Sequence, residues 1–267
     1  AAVKRECASK LRGTIITFSP DPTVFPDRTF SWPRIVSHLR QQAYLVKKLR
    51  IRVIDARDLG EPPNLEGLFY FAELKREVPS QTFYFEGGLL SLIQFYNRNE
   101  KPIHKNVFYV EKSAEQVQVE AALQYVDDIV SREVSFANNT STPEGGMHLT
   151  GFRTALTRIL NDYARRNGLV KESEENFTGE DVREGMTAVI SVKLQNPQFE
   201  GQTKAKLGSV EARSATESVF GEAFAAYLEE HPEDARAIIG KVFLALKARK
   251  AAKAAKESVL LKGALEG

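Results

Sequence analysis

The chain has 267 residues, of which 42% are hydrophobic and 27% charged, a composition typical of a globular protein rather than a disordered one. Its formal net charge of only +2 gives no indication of a nucleic-acid-binding protein, so any basic surface must come from local clustering. Cys7 is the single cysteine, which rules out an internal disulfide and a cysteine-rich zinc site.

No apolar run approaches the roughly 18 residues that a membrane-spanning helix needs, and no signal peptide opens the chain. We therefore expect a cytoplasmic protein without a membrane partner. The first residue is alanine rather than methionine, so we also expect the sequence to be a piece of a longer protein. A chain of this length can form one large domain or two modest ones.

The first 85 residues are predicted to alternate between strands, loops and one helix. The β-branched run Gly13–Phe18 predicts a strand, and the prolines that follow it predict a loop. Apolar residues at helical spacing predict a helix that Ser31 caps and that continues to Leu49. The remaining elements of this part are a strand at Ile51–Ile54, a loop over 58–67, and strands at Leu68–Leu74 and Thr82–Phe85.

Three strands are predicted after a helix that begins at Gly87 and Gly88. In the second of them, small and β-branched apolar residues alternate with polar ones from Val117 to Leu123, which predicts that only one face of the strand is buried. The three strands are Val107–Val110, Val117–Val126 and Val130–Ala137.

The last 120 or so residues are predicted to be mainly helical. A helix from His148 to Asn167 carries an apolar stripe and ends before Gly168, a residue type that commonly closes helices in a left-handed conformation. Together with the strands, these patterns predict an α+β fold. The other elements are a capping box at Thr178–Asp181, a strand at Met186–Leu194, a helix at Ser209–Glu230 and a helix from Pro232, of which Ala245–Ala255 is expected to be exposed.

Common catalytic motifs are missing from this sequence. It contains no GxxxxGK[ST], GxGxxG, HExxH or GxSxG pattern. The histidines are far apart and lack metal-ligand spacing, so we expect no metal site made by this chain alone. The residues by themselves lead no further than a soluble α+β protein. The four histidines are His38, His104, His148 and His231.

Three longer segments carry a resemblance to a known family. They are Glu144–Arg158 (EGGMHLTGFRTALTR), Thr178–Lys193 (TGEDVREGMTAVISVK) and Pro197–Leu207 (PQFEGQTKAKL). In this order and spacing they resemble the B subunits of type IIA DNA topoisomerases, DNA gyrase and topoisomerase IV. Shorter matches support the resemblance from Gly13 to the C-terminus: Phe18–Pro22, Tyr84–Gly88, Pro102–His104, Val119–Gln124 and Phe136–Asn139.

The resemblance implies a domain organisation. Residues 1–85 would be the C-terminal portion of a GHKL ATP-binding domain, 86–231 a transducer domain, and 232–267 its long C-terminal helix. A transducer contains a four-stranded sheet, expected here between Phe85 and Leu207, with an unusual left-handed β-α-β crossover of the kind found in ribosomal proteins. The activity implied for the full-length protein is ATP-dependent DNA strand passage, with the transducer coupling ATP binding and clamp closure to the DNA gate.

The resemblance also implies nucleotide-binding residues. Lys204 matches the lysine that contacts the γ-phosphate of ATP, Gln202 would bond to the same phosphate, and Thr203 would fix the loop. Thr14 matches a threonine at the floor of the adenine site. The implied cofactors are ATP and Mg²⁺, with most of their ligands outside this sequence, so we expect the chain alone not to hydrolyse ATP.

The implied partners are double-stranded DNA, a second copy of the topoisomerase B subunit, and the A subunit. Arg153 matches an arginine facing the cavity between two transducers, and Arg158 continues the same helix. Lys250 and Lys253 lie on the last helix, which in the family leads to the DNA gate. An ion pair for Arg153 and a solvated surface for the lysines are the alternatives. Val259–Leu261 stands where the family has basic residues, and Met147 replaces a usual threonine.

Two other functions remain open at this point. The chain could be the corresponding domain of another GHKL ATPase, of the mismatch-repair or chaperone type, or a non-enzymatic nucleic-acid-binding module. A strong basic excess would favour the binding module, and the net charge of +2 does not. The sequence does not separate gyrase from topoisomerase IV.

Overall fold

The computed structural model describes residues 12–14, 16, 21–27, 29–55, 57, 78–171 and 173–265 of the chain, with side chains up to residue 260. The chain divides into two compact units, Ala1–Phe85 and Glu86–Gly267. None of the helices in the described ranges is long and apolar enough to cross a membrane.

In the described residues of the first unit, the regular elements are one helix and a two-stranded sheet. Helix α1 spans Trp32–Leu45, and strands β1 (Ile51–Ile54) and β2 (Ser80–Phe83) pair antiparallel with Ile51 opposite Phe83. Apolar side chains of all three elements form its core, and Tyr44 stacks on Phe85 at a ring-centroid distance of 3.7 Å.

Helix α1 ends earlier than predicted. Ser31 occupies the N-cap position, although its side chain makes no capping hydrogen bond, and the helix stops at Leu45 rather than Leu49. The chain reverses there: Lys48 has a left-handed φ of 63°, and its N–H donates to the carbonyl oxygen of Phe85 at 3.4 Å. This turn leads into β1, which pairs with β2. The strand pairing therefore overrides the helical spacing of the apolar residues after Leu45.

Other predictions for the first unit were wrong or fall outside the described residues. Gly13, Thr14 and Ile16 are exposed and lie in no strand, so the described part of the Gly13–Phe18 segment does not form the predicted element. Strand β2 is displaced from the predicted Thr82–Phe85 by pairing with β1. The predicted loop over 58–67 and strand at Leu68–Leu74 lie outside the described residues.

The second unit is a mixed sheet covered by helices. The strand order is β3-β4-β7-β5-β6, and all neighbours are antiparallel except β5 and β7, which are parallel and separated in sequence by α3. The elements are α2 (Leu89–Tyr96), β3 (Phe108–Ala114), β4 (Val117–Tyr125), β5 (Arg132–Ala137), β6 (Thr140–Ser141), α3 (Met147–Arg166), a 3-10 helix (Asp181–Arg183), β7 (Met186–Lys193), α4 (Glu211–Glu230) and α5 (Pro232–Leu265).

The α+β class is confirmed, but the sheet differs from the prediction in one respect. It has five strands rather than four, because the chain turns back after β5 through the left-handed Asn138 and Asn139 to add the two-residue β6. Helix α3 lies in the β5–β7 connection that was predicted to be left-handed, and that handedness stays a prediction.

The main core lies between the sheet and helices α3, α4 and α5. Phe108 of β3 contacts Phe220 and Phe224 of α4 edge-on at ring-centroid distances of 5.4 and 5.2 Å. Buried aliphatic side chains of α3 and α5 complete this cluster. Such edge-to-face aromatic contacts stabilise a core beyond the area that they bury.

Strand β4 is buried on both faces, so the prediction of one exposed face was wrong. Helix α2 packs against β4 and β7 on the side opposite α3 and α4. Its C-cap residue Asn97 donates to Gln124 at 3.1 Å, and Glu120, Ala122 and Gln124 of that face are all buried. The polar residues of the alternating pattern therefore face a second layer rather than water.

Two predicted local motifs are confirmed. Gly168 closes α3 with a φ of 65°, its N–H bonds to the carbonyl of Arg165, and the N–H of Leu169 bonds to that of Ala164, as in a Schellman motif. Thr178 and Asp181 form the reciprocal capping box, with distances of 2.8 and 3.3 Å.

Helix α5 is part of the core over its first half. Ile238, Val242 and Leu246 are fully buried, and Ala245 is buried as well, contrary to the prediction that it would be exposed. From residue 251 to 260 every side chain is exposed. The helix therefore changes from a core element to a solvated one along its length.

Candidate functional site

The predicted phosphate-contacting residues lie at the tip of a short hairpin. One arm, 198–200, pairs antiparallel with the other, 206–208: the N–H of Glu200 donates to the carbonyl of Lys206 at 2.9 Å, and that of Gly208 donates to Gln198 at 2.8 Å. Residues 201–205 form the turn between them. We call 198–208 the QTK hairpin.

The QTK hairpin is hydrogen-bonded to the segment that precedes α3. The N–H of Leu207 donates to the carbonyl of Gly145 at 3.1 Å, and the carbonyl of Leu207 accepts from Met147 at 2.8 Å. Gly146 lies against this fully buried leucine with a φ of 134°, and a Cβ atom there would come within 2.3 Å of the Leu207 oxygen. Only glycine permits this approach.

The two lysines of the hairpin differ in their surroundings. Gln202, Thr203 and Lys204 are all exposed, Lys204 has a left-handed φ of 55°, and its Nζ atom lies 5.8 Å from the centre of the Phe199 ring. Lys206 instead pairs with Glu200 across the hairpin at 3.0 Å. Among the residues that the structure describes, no carboxylate lies within ion-pair distance of Lys204, so its charge is available to a ligand.

A buried polar chain lies beneath the base of the hairpin. Ser135 of β5 is 2.7 Å from the hydroxyl of Thr142, and that hydroxyl is 3.2 Å from Nε2 of His148 in the first turn of α3. All three side chains are buried, and burial alone lowers the pKa of His148 to about 4. The imidazole is therefore neutral at physiological pH.

Arg153, predicted to contact DNA, is held in an ion pair. Its guanidinium donates to both carboxylate oxygens of Glu133, at 3.0 and 2.5 Å, and Arg183 lies 3.9 Å from the same carboxylate. These hydrogen bonds raise the pKa of Arg153. Arg158, one turn further along α3, is exposed on the side where α4 passes at Gly221.

The predicted DNA-contacting lysines of α5 differ from each other. Lys250 pairs with Glu174 at 3.3 Å, whereas Lys253 is exposed and forms no ion pair with any described residue. Their neighbour Arg249 donates to both oxygens of Asp181 at 2.9 and 3.0 Å. Burial raises the pKa of Asp181, but the hydrogen bonds from Arg249 and Thr178 outweigh it and hold that pKa below its ordinary value.

The predicted nucleotide-binding residues are divided between the two units. Gln202, Thr203 and Lys204 share one tip, while Thr14 belongs to the first unit, where it is exposed and in no regular element. The residues described contain no cluster of three or more acidic, histidine or cysteine side chains that could hold a metal ion.

Sequence reasoning assigned no role to the Ser135–Thr142–His148 chain. One signal was present: His148 shares the apolar stripe of α3, four residues before Phe152, and a polar residue on a buried helix face needs a partner. The identity of that partner was not visible, because Ser135 and Thr142 precede the helix and the hydroxyls come together only through the β5–β6 turn.

The chain is similar in sequence to the proteins of a known family. The family model described as DNA gyrase B matches residues 88–258. The gyrase B protein of Halalkalibacterium halodurans is 46% identical over 255 residues, which cover 95% of this chain and 37% of that protein. The gyrase B protein of Bacillus mycoides is 44% identical and covers the same share of this chain and 59% of its own length.

A solved structure shares the fold. The 43K ATPase domain of Thermus thermophilus gyrase B, in complex with an aminocoumarin, aligns with a TM-score of 0.74 and 34% identity, over 90% of this chain and 60% of that one. The topoisomerase IV ATP-binding domain of Francisella tularensis aligns with a TM-score of 0.67 at 24% identity, a likeness of fold alone. The chain therefore spans less than two thirds of each of these relatives.

Proposed function

Because the chain belongs to the DNA gyrase B family, we propose that it serves as the transducer of the B subunit in an ATP-driven type IIA topoisomerase. In this role it couples ATP binding and dimer clamp closure to DNA strand passage, and residues up to 85 are the end of the GHKL ATP-binding domain. The observation that carries the proposal is Lys204, an exposed cation at the tip of a hydrogen-bonded hairpin, without an acidic partner among the described residues.

Lys204 contacts the γ-phosphate of ATP in this proposal. An ammonium group is a compact charge on a flexible stem, so it can reach a phosphate that another domain holds. ATP presents the third phosphate and ADP does not, and a ligand shifts a conformational equilibrium only if it interacts differently with the two states. Gln202 adds a hydrogen bond to the same phosphate, and Thr203 fixes the loop.

In this proposal most of the remaining ligands of the nucleotide come from other parts of the full-length protein. Mg²⁺ would arrive with the nucleotide and neutralise phosphate charge, and the described side chains contain no cluster of metal ligands, so in this proposal the protein ligands of the ion lie outside the described residues. Thr14 contributes its hydroxyl on the adenine side.

The proposed partners are double-stranded DNA, a second copy of the full-length protein and the A subunit. The proposed location is the cytoplasm. Arg158 and Lys253 are exposed and can neutralise phosphates, a contact that contributes affinity without sequence readout. Arg153 and Lys250 already pair with Glu133 and Glu174, so they contact DNA only if its phosphates displace those carboxylates.

The test of this proposal is a set of Lys204 variants in the full-length protein. Lys204→Gln should reduce the preference for ATP over ADP in dimer closure by about ten- to a hundredfold, as expected for loss of one charge-assisted contact. Lys204→Arg should keep part of the preference because it keeps the charge.

Lys206→Ala is the matched control, since its exposed pair with Glu200 is of a kind that contributes at most about 1 kcal/mol to stability. It should close and turn over like the parent protein. A Lys204→Gln protein that closes with ATP and hydrolyses it as the parent does would show that the hairpin lysine has no part in nucleotide sensing.

A further inference from the structure

Between the sheet and the QTK hairpin lies a continuous path of hydrogen bonds. The N–H of Thr142 donates to the carbonyl of Ser135 at 2.9 Å, and the carbonyl of Thr142 accepts from Gly145 at 2.8 Å. Gly145 and Met147 in turn bond to Leu207 of the hairpin. The position of the hairpin arm therefore depends on the conformation of residues 142–147.

Side chains hold that segment from the inside. Ser135, Thr142 and His148 are 4%, 2% and 0% exposed, so water does not substitute for any contact that they lose. His148 directly follows Met147, whose N–H is bonded to Leu207. A change in the packing of the imidazole is thus transmitted to the hairpin through one peptide unit.

The tautomer of the His148 imidazole follows from the hydrogen bonds that its neighbours can make. The Ser135 hydroxyl donates to the Thr142 carbonyl at 3.0 Å, the Thr142 hydroxyl donates to the Ser135 oxygen, and the Thr142 oxygen then accepts from His148 Nε2. This assignment uses each hydrogen once and leaves only a lone pair, on His148 Nδ1, without a partner among the described residues. The opposite tautomer would bury an unpaired N–H, which costs more.

We propose that His148, acting with Thr142 and Ser135, is a positioning residue for Lys204: its Nε2–H holds the base of the QTK hairpin in the orientation from which the lysine meets the γ-phosphate. This inference rests on the nucleotide-sensing function proposed above. The imidazole does not touch the nucleotide. It acts by restricting the hairpin, so that the backbone carrying Lys204 is already ordered before ATP binds.

The variants follow from the geometry. His148→Leu removes the donor and leaves the Thr142 oxygen short of a partner, whereas His148→Gln can place an amide N–H near the position of Nε2. Thr142→Val removes the same contact from the other side with little change of shape. Each is made in the full-length protein, and the readouts are KM for ATP, kcat, the affinity for ADP and the melting temperature.

His148→Leu should raise KM for ATP about tenfold, because part of the charge-assisted contact is lost with the orientation of Lys204. The affinity for ADP should stay unchanged, since ADP has no γ-phosphate. Thr142→Val should act in the same direction, and His148→Gln should restore most of the ATP affinity.

His104→Leu is the matched control. His104 is also a buried histidine, and its Nε2 accepts a hydrogen bond from the N–H of Tyr125 at 2.9 Å. Tyr125 is at the end of β4 that lies away from the hairpin, because the end of β7 leading to the hairpin pairs with Gln118 at the start of β4. Its loss should lower the melting temperature but leave the ratio of ATP to ADP affinity unchanged.

A double-mutant cycle separates this inference from the function on which it rests. If His148 acts through Lys204, then His148→Leu should have no additional effect on nucleotide preference in a Lys204→Gln background. If Lys204→Gln has its expected effect but His148→Leu leaves KM for ATP unchanged, the positioning role is wrong and the proposed function stands. The positioning role is also wrong if His148→Leu and His104→Leu change the ratio of ATP to ADP affinity equally. If Lys204→Gln has no effect on nucleotide preference, the proposed function itself is wrong.

Discussion

At the scale of single residues, His148 makes the stability of the second unit sensitive to acid. Burial lowers its pKa from 6.5 to about 4, so the unfolded chain binds a proton that the folded protein excludes. The His148 contribution to stability is therefore fully present above pH 6.5 and is lost as the pH falls from 6.5 towards 4. The two-and-a-half-unit difference corresponds to about 3 kcal/mol across that window.

Denaturant unfolding between pH 7.5 and pH 4.5 measures this contribution. The free energy of unfolding of His148→Gln should fall less steeply with acid than that of the parent protein, because glutamine does not titrate. The pKa of His104 is also lowered, mainly by burial, and this second buried histidine contributes to the slope of both proteins. Identical slopes for parent and variant would mean that the imidazole is not kept neutral by burial.

Two glycines show which residue-level features the sequence could reveal. Gly168 was predicted from its place after an apolar helical stripe, because helix ends follow local rules. The reason for Gly146 was not visible: the Leu207 oxygen that a Cβ atom would meet comes from a residue about sixty positions away. Local conformation is encoded near each residue, whereas a close approach of two backbones depends on the whole fold.

At the scale of elements, the carboxylate of Asp181 forms hydrogen bonds both at the start of the 3-10 helix and with α5. Asp181 caps its own helix at Thr178 and accepts both hydrogen bonds from Arg249, and its side chain is only 2% exposed. Arg249→Ala leaves this carboxylate buried without its cation and should reduce the free energy of unfolding by about 2 kcal/mol. Arg249→Lys should recover little, because an ammonium group cannot bond to both oxygens in the same plane.

Urea unfolding of these variants has a neighbouring control. Lys250→Ala removes an exposed pair with Glu174 one residue further along α5 and should change stability by less than about 1 kcal/mol. If Lys250→Ala destabilises the protein as much as Arg249→Ala, then general charge along α5, and not the Asp181 contact, holds this helix.

The elements that sequence patterns predicted well are those whose limits are set locally. Helices α3 and α4 and the start of α5 were placed within about two residues because caps, prolines and apolar stripes define them. Helix α1 ended early because β1 must pair with β2, and β4 has two buried faces because α2 covers the second. Both exceptions are decided by partners distant in sequence.

At the scale of the whole molecule, the candidate site could be predicted only through family resemblance. A lysine beside Lys206 is ordinarily a solvated surface residue, and nothing in composition or periodicity distinguishes Lys204. The structure adds the distinction that Lys206 has an acidic partner within the hairpin while Lys204 has none among the described residues. Arg153 and Lys250, which were predicted to contact DNA, each pair with a carboxylate in the structure, and their contact with DNA stays a prediction.

The last prediction concerns the chain by itself, which we expect not to hydrolyse ATP. Hydrolysis requires a base or positioned water, a metal ion at the phosphates and cations that stabilise the transferred group, all held together. In the proposed function Lys204 is the cation that this chain supplies to the phosphates, and the described residues contain no cluster of metal ligands. Positioning accounts for much of the catalysis of phosphoryl transfer, so a lysine alone gives no measurable turnover. Phosphate release by the purified chain should equal that of a buffer blank at every Mg²⁺ concentration, and the Lys204→Ala chain should behave identically. Turnover that survives Lys204→Ala would place an active site in this chain at residues other than those of the QTK hairpin.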